Sequence, residues 1–122
     1  MAYHVVDFDA IEPHPDHESD RRTLQSTLDL EHVGMSIYTA APGEQIPQMY
    51  HSHDTQEELL YVVEGEMHVE TPDEVFVVAA NDVFVAEPNS PHRAYNAESA
   101  DRPLRVVAVG APMIKDGHRY EP

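Results

Sequence analysis

The sequence predicts an all-β barrel or sandwich, and three observations predict it. Short runs rich in strand formers recur from Val33 to Gly110. Turn residues (Gly, Pro, Asn, Asp) punctuate them at nearly even spacing, and no stretch sustains a helical period or alternates strands with helices.

Taken in order, Tyr3, Val5 and Val6 form a short apolar alternation that reads as a first strand within residues 1–10. Residues 11–20 are polar, contain Pro13 and Pro15, and read as a loop; His14 and His17 are exposed loop histidines on this reading. Arg21 to Leu30 is compatible with either a strand or a short helical turn. Val33 to Ala41 is a strand that stops at Pro42-Gly43, and Pro47 argues against a central strand over the next segment. Glu58–Val63, Glu66–Glu70, Glu74–Ala79, Asp82–Ala86, His92–Asn96 and Leu104–Gly110 all read as strands. The tail from Ala111 to Pro122 reads as irregular.

The 122 residues fit one domain, residues 1–122, with its barrel core over about 33–110. With no cysteine, any metal must be held by histidine and carboxylate. Acidic residues outnumber basic ones 23 to 7, a surface that repels nucleic acid and anionic membranes and discounts both as partners. The acids are spread along the chain, which fits a halophilic surface whose self-repulsion is screened by salt. Hydrophobic content of 41% argues against disorder. The start of the sequence lacks the layout of a signal peptide and no apolar run is long enough to span a bilayer, so a soluble cytoplasmic protein is expected.

Chemistry concentrates in His51-Ser52-His53-Asp54-Thr55-Gln56-Glu57-Glu58. On a strand, Met49, His51 and His53 share one face, with successive side chains about 6.6–6.8 Å apart, a spacing that lets two imidazoles converge on one ion. Residues 54–57 then form the turn, and either Glu57 or Glu58 faces inward beside the histidines. His92 follows the turn Pro88-Asn89-Ser90-Pro91 and is the best candidate for a further ligand.

These stretches resemble the two motifs of the cupin superfamily. The first runs Gly43, His51, His53, four residues, Glu58, six residues, Gly65; the second aligns as Asn81, Glu87, Asn89, His92 and Asn96. The six-residue gap to Gly65 selects Glu58 over Glu57. The sequence departs from the pattern at Gly43, two residues further from His51 than usual, at Asn81 and Asn89 in place of glycines, and at Glu87 in place of proline. Asparagine tolerates the left-handed conformation that glycine would adopt there.

The resemblance implies a small jelly-roll-like double-stranded β-helix barrel. It implies His51, His53, Glu58 and His92 as ligands of a divalent transition metal (Mn, Fe, Co, Ni, Cu or Zn). It further implies a dioxygenase or an isomerase/epimerase acting on a small polar molecule, or else a non-catalytic barrel that binds a small ligand or metal for sensing or storage; no catalytic residue is assigned. A homodimer is expected, which would cover exposed strand edges.

The remaining histidines receive structural readings. His68 alternates with Met67 and Val69 and is expected on a solvated face; His4, His32 and His118 have no partner pattern. Arg93 and Tyr95 are expected to point outward, and Ala94 and Asn96 inward. Met35 or Tyr38, Met49 and Tyr61 are candidate pocket walls. The motifs place no basic residue inside the barrel, which argues against sugar-phosphate substrates.

Overall fold

Residues 1–47 and 49–122 are described by the structure, a computed structural model. Short strand-forming runs between turns give ten strands among the described residues: β1 (Asp20–Thr23), β2 (Gly34–Ala40), β3 (His51–His53), β4 (Glu57–Glu64), β5 (Glu66–Glu70), β6 (Val75–Ala79), β7 (Val83–Ala86), β8 (Arg93–Asn96), β9 (Leu104–Ala111) and β10 (Gly117–Arg119). One sheet has the order β1-β2-β9-β4-β7; a second has β6-β5-β8, and β10 pairs with β3. Every named pairing is antiparallel. Single bridges, His51 to His92 and Gln45 to Tyr95, join the β8 and β3 regions, so the two smaller sheets continue into one layer.

Between the layers lies one apolar cluster. Leu60 and Val62 of β4 and Leu104 and Val106 of β9 meet Met67 and Val69 of β5, Val78 of β6 and Ala94 of β8. Burial of these side chains is the main stabilising term, about 25 cal/mol per Å² of apolar surface. Asn96 stitches the core, its Nδ2 donating to Ala40 O and Arg102 O, both at 3.0 Å. Four turns require left-handed backbone: Gly43 (φ 88°), Gly65 (φ 87°), Asn81 (φ 74°) and Asn89 (φ 62°). The two asparagines therefore do the conformational work of the glycines they replace. At Gly65 there is also no room, since a Cβ would lie 2.7 Å from Pro103 O.

Most strands lie where the sequence puts them; three expectations need correction and one ambiguity is resolved. Residues 1–7 pair with nothing and form no strand, and a single 3-10 turn follows at Phe8–Ala10; Tyr3 and Val5 find no strand partner, and pairing decides over propensity. The Arg21–Leu30 ambiguity resolves as both alternatives, β1 and then a 3-10 turn at Leu24–Ser26. The tail is not irregular throughout, because Gly117–Arg119 pairs with His51–His53. His68 is not on a solvated face: it is half-buried and stacks on Tyr95, ring centroids 5.6 Å apart.

Candidate metal centre

The antiparallel bridge between His51 and His92 is what assembles the site. Each backbone N–H donates to the other's carbonyl, at 3.1 and 2.9 Å, which sets the two imidazoles side by side, ring centroids 4.7 Å apart. Asn89 in its left-handed turn donates its N–H to His53 O at 2.7 Å, so the Pro88–Pro91 turn is pinned against β3. Glu58 enters from the other layer, on β4, with Leu60 and Val62 on the same inward face. Glu57 is exposed, so the choice between the two glutamates falls on Glu58.

Three imidazoles thus converge on one carboxylate. His92 Nε2 is 3.0 Å from Glu58 Oε1, His53 Nε2 is 3.2 Å from Oε2, and His51 Nε2 is 3.7 Å from Oε2. Donor atoms of His51, Glu58 and His92 all lie within 4.8 Å of one another, a group that could hold a metal ion; His53 stands just outside that group but approaches the same carboxylate.

The far nitrogens decide the tautomers. His51 Nδ1 meets Met49 O at 3.1 Å, His92 Nδ1 meets Ser90 O at 2.9 Å, and His53 Nδ1 meets Asp116 Oδ1 at 2.9 Å. All three partners can only accept, so each Nδ1 carries the proton and each Nε2 of a neutral ring presents a lone pair toward Glu58. Lone pairs and a carboxylate repel unless a cation lies among them, so the donor set fits a divalent transition metal. Where the rings instead donate through Nε2, burial still opposes ionisation of Glu58, but the hydrogen bonds from His51, His53 and His92 outweigh it and hold the carboxyl well below its ordinary range. In that form the hydrogen bond that His53 donates to Glu58 raises the His53 pKa, against the opposing effect of burial.

Beside these residues opens a cavity of about 920 Å³. Tyr38 and Met49 line it, as expected; Met35 and Tyr61 do not, because they sit on the outward-facing set of their strands. Arg93 and Tyr95 do face away, Arg93 Nε bonding Glu70 Oε1 at 2.9 Å with the guanidinium 4.7 Å from the Tyr95 ring centroid.

Three lining or supporting residues escape sequence reasoning. Asp116 orients His53 and accepts from the N–H groups of Thr55 and Gln56 at 2.6 and 3.0 Å. Burial would raise its carboxyl, but those bonds lower it to about 2. Its only sequence signal is a turn-forming Asp-Gly pair in the tail. His17 lines the cavity and packs on Tyr38, ring centroids 5.5 Å apart, so it is not a plain loop histidine. Arg21 lines the cavity too, which corrects the expectation of a barrel without an inward basic residue; alternation in Asp20–Thr23 was the available signal, since it must turn one of Arg21 and Arg22 inward.

Two layers of antiparallel strands around a buried His/Glu cluster define a double-stranded β-helix protein with a candidate metal centre. The cupin domain profile matches residues 36–110, and the chain belongs to the cupin family. It is 31% identical over 115 residues to a protein of Streptomyces cyaneus named polyketide synthase CurC, covering 93% of this chain and 72% of that one. Among solved structures, a conserved protein with a double-stranded β-helix domain from Klebsiella pneumoniae superposes with a TM-score of 0.78 at 23% identity, covering 99% of this chain and 100% of that one. A sugar phosphate isomerase of the cupin superfamily from Silicibacter pomeroyi superposes with a TM-score of 0.79 at 18% identity over 97% of this chain and 82% of that one. At these identities the two structures establish the fold alone.

Proposed function

We propose that this cupin is a metal-dependent enzyme in which His51, His53, Glu58 and His92 hold one divalent transition metal at the edge of the cavity. One observation carries the reading: three imidazoles with their Nδ1 protons committed elsewhere turn their Nε2 lone pairs on one carboxylate. A metal so held supplies Lewis acidity toward an oxygen of the substrate. Tyr38 and His17, in contact with each other on the cavity wall, are the groups of this chain that could take or return a proton. That pairing favours an isomerase-type proton transfer over dioxygenation. Apolar walls at Ile46, Leu60 and Met113 suit an organic molecule with an oxygenated end. A polyketide intermediate has that character, and the relative from Streptomyces cyaneus is named for polyketide synthesis.

We read the protein as a homodimer and its acidic surface as an adaptation to salt. The outer face of the β4–β7 pair supports the dimer: Leu59, Tyr61, Val63, Val83 and Val85 are between 40% and 51% exposed and contiguous in register.

Metal analysis after reconstitution tests the proposal. One equivalent of a transition metal is expected in the wild type, Glu58→Ala should weaken binding severely, and His68→Ala should leave it unchanged. No stoichiometric metal, or equal effects of the two substitutions, would reject the assignment. Stoichiometric metal without turnover of any oxygenated aromatic or diketone substrate would leave a binding protein for sensing or storage.

A further inference from the structure

The least expected residue in the cavity is Arg21. On β1 it lies opposite Tyr38 of β2, and Tyr38 belongs with Ser36 and Ala40 to the inward set of that strand. Its neighbours turn outward: Arg22 Nε bonds Asp20 Oδ1 at 3.0 Å and its Nη1 bonds Asp9 O at 3.0 Å. The Arg21 guanidinium rests against Tyr38, Cζ 5.9 Å from the ring centroid. Yet its Nε is buried and has no hydrogen-bond partner, and the side chain makes no ion pair among the described residues. Of the other arginines, Arg22, Arg93, Arg102 and Arg119 each lie within ion-pair distance of a carboxylate, and Arg105, which also makes no ion pair among the described residues, alternates outward from the buried Leu104 and Val106.

In a chain with 23 acidic and 7 basic residues, an inward arginine without a carboxylate is a strong exception. A buried N–H donor with no acceptor is costly and rare, so a site that keeps one is built for an acceptor that arrives from outside. The composition of the cavity agrees. Arg21, Lys115 and Arg119, three of those seven basic residues, line it, while Glu58 is its one acidic residue among the described ones and is engaged by three imidazoles. The lining of the cavity thus reverses the balance of the chain, with more basic than acidic residues.

We propose that Arg21 is the anion-binding residue of this cavity, holding the planar oxyanion (carboxylate, phenolate or enolate) of an otherwise apolar ligand whose other end reaches the histidine cluster. This assignment rests on reading the cavity as the substrate site. A guanidinium offers two parallel N–H groups that match a carboxylate in bidentate fashion and a phenolate or enolate oxygen through one of them, and the neighbouring Tyr38 ring limits where it can move. A phosphate dianion would call for several inward cations, but Lys115 is exposed and Arg119 is an exposed partner of Glu121 at 3.4 Å, which leaves one.

Calorimetric titration with a hydroxynaphthoate and its uncharged amide tests the assignment on wild type, Arg21→Gln and Arg21→Lys, each zinc-loaded and metal-stripped. The carboxylate should bind the wild type about tenfold more tightly than the amide, the scale of one charge-assisted hydrogen bond. That preference should vanish in Arg21→Gln and survive in part in Arg21→Lys, with thermal melts showing both variants folded. Failure of both probes to bind, absence of preference in the wild type, or a preference that survives Arg21→Gln would overturn it. If the protein takes up no zinc, the metal proposal fails alone, and the metal-stripped titrations still decide the role of Arg21.

Discussion

His53 donates its Nδ1 proton to Asp116 at 2.9 Å, so a tail residue orients the ring and with it the Nε2 that faces Glu58. The same carboxylate accepts from the backbone of Thr55 and Gln56, which fixes the turn between β3 and β4. Asp116→Ala should therefore lower metal affinity by about 10–100-fold, the usual cost of losing the partner that orients a ligating histidine. Asp116→Asn, whose carbonyl can still accept, should lie between. Competition against a chromogenic chelator measures both, and unchanged affinity in Asp116→Ala would remove the role.

Gly65 occupies a left-handed turn with Pro103 O where a Cβ would be. Gly65→Ala is expected to cost about 1–3 kcal/mol from the backbone conformation alone, with the contact adding to it. Denaturant unfolding would show the loss; Asn81→Gly, at a comparable φ, should be close to neutral, since relief of the left-handed backbone offsets loss of the hydrogen bond that Asn81 Oδ1 accepts from Tyr61 at 3.0 Å.

The dimer proposal has a direct consequence for mass in solution. Light scattering on a sizing column should give twice the mass of the chain, and Val85→Glu should give the monomer, because it faces Leu59 across the β4–β7 pair on the exposed apolar face. A monomeric wild type at moderate and high salt would dispose of it.

Burial lowers the His17 pKa from 6.5, against the opposing effect of its bond to Ser19 O. The unfolded chain therefore binds this proton at a higher pH than the folded chain does. Stability linked to His17 is present above about pH 6.5 and declines as pH falls toward the lowered folded value. The melting temperature of wild type minus that of His17→Gln should accordingly shrink on acidification from pH 7 to 5. A difference that stays level across that range would show that burial of His17 does not matter.

How much was legible follows from what each residue type demands locally. Strands β4 to β9 were readable because runs of strand formers between turn residues are local, and His92 because a histidine after a tight turn is conspicuous, whereas Glu58 was told from Glu57 only by the resemblance to the cupin motif. Asn81 and Asn89 were readable because the conformation they must adopt is a property of single residues. Asp116 and Arg21 were not readable in the same way. Their roles depend on pairings, β10 with β3 and β1 with β2, that bring distant segments together, and no local pattern announces a partner. The apolar alternation of residues 1–7 misled for the same reason, since a strand needs an edge to join as well as a propensity.

The bridge between His51 and His92 closes the second layer as well as the candidate metal centre. An ion gripping both rings would act as a rivet through a seam of the barrel, so loading the site and tightening that seam are one event thermodynamically. Amide exchange should report it: the N–H groups of His51 and His92 should slow together on metal addition, while the outer strands β1 and β2 keep their own rates.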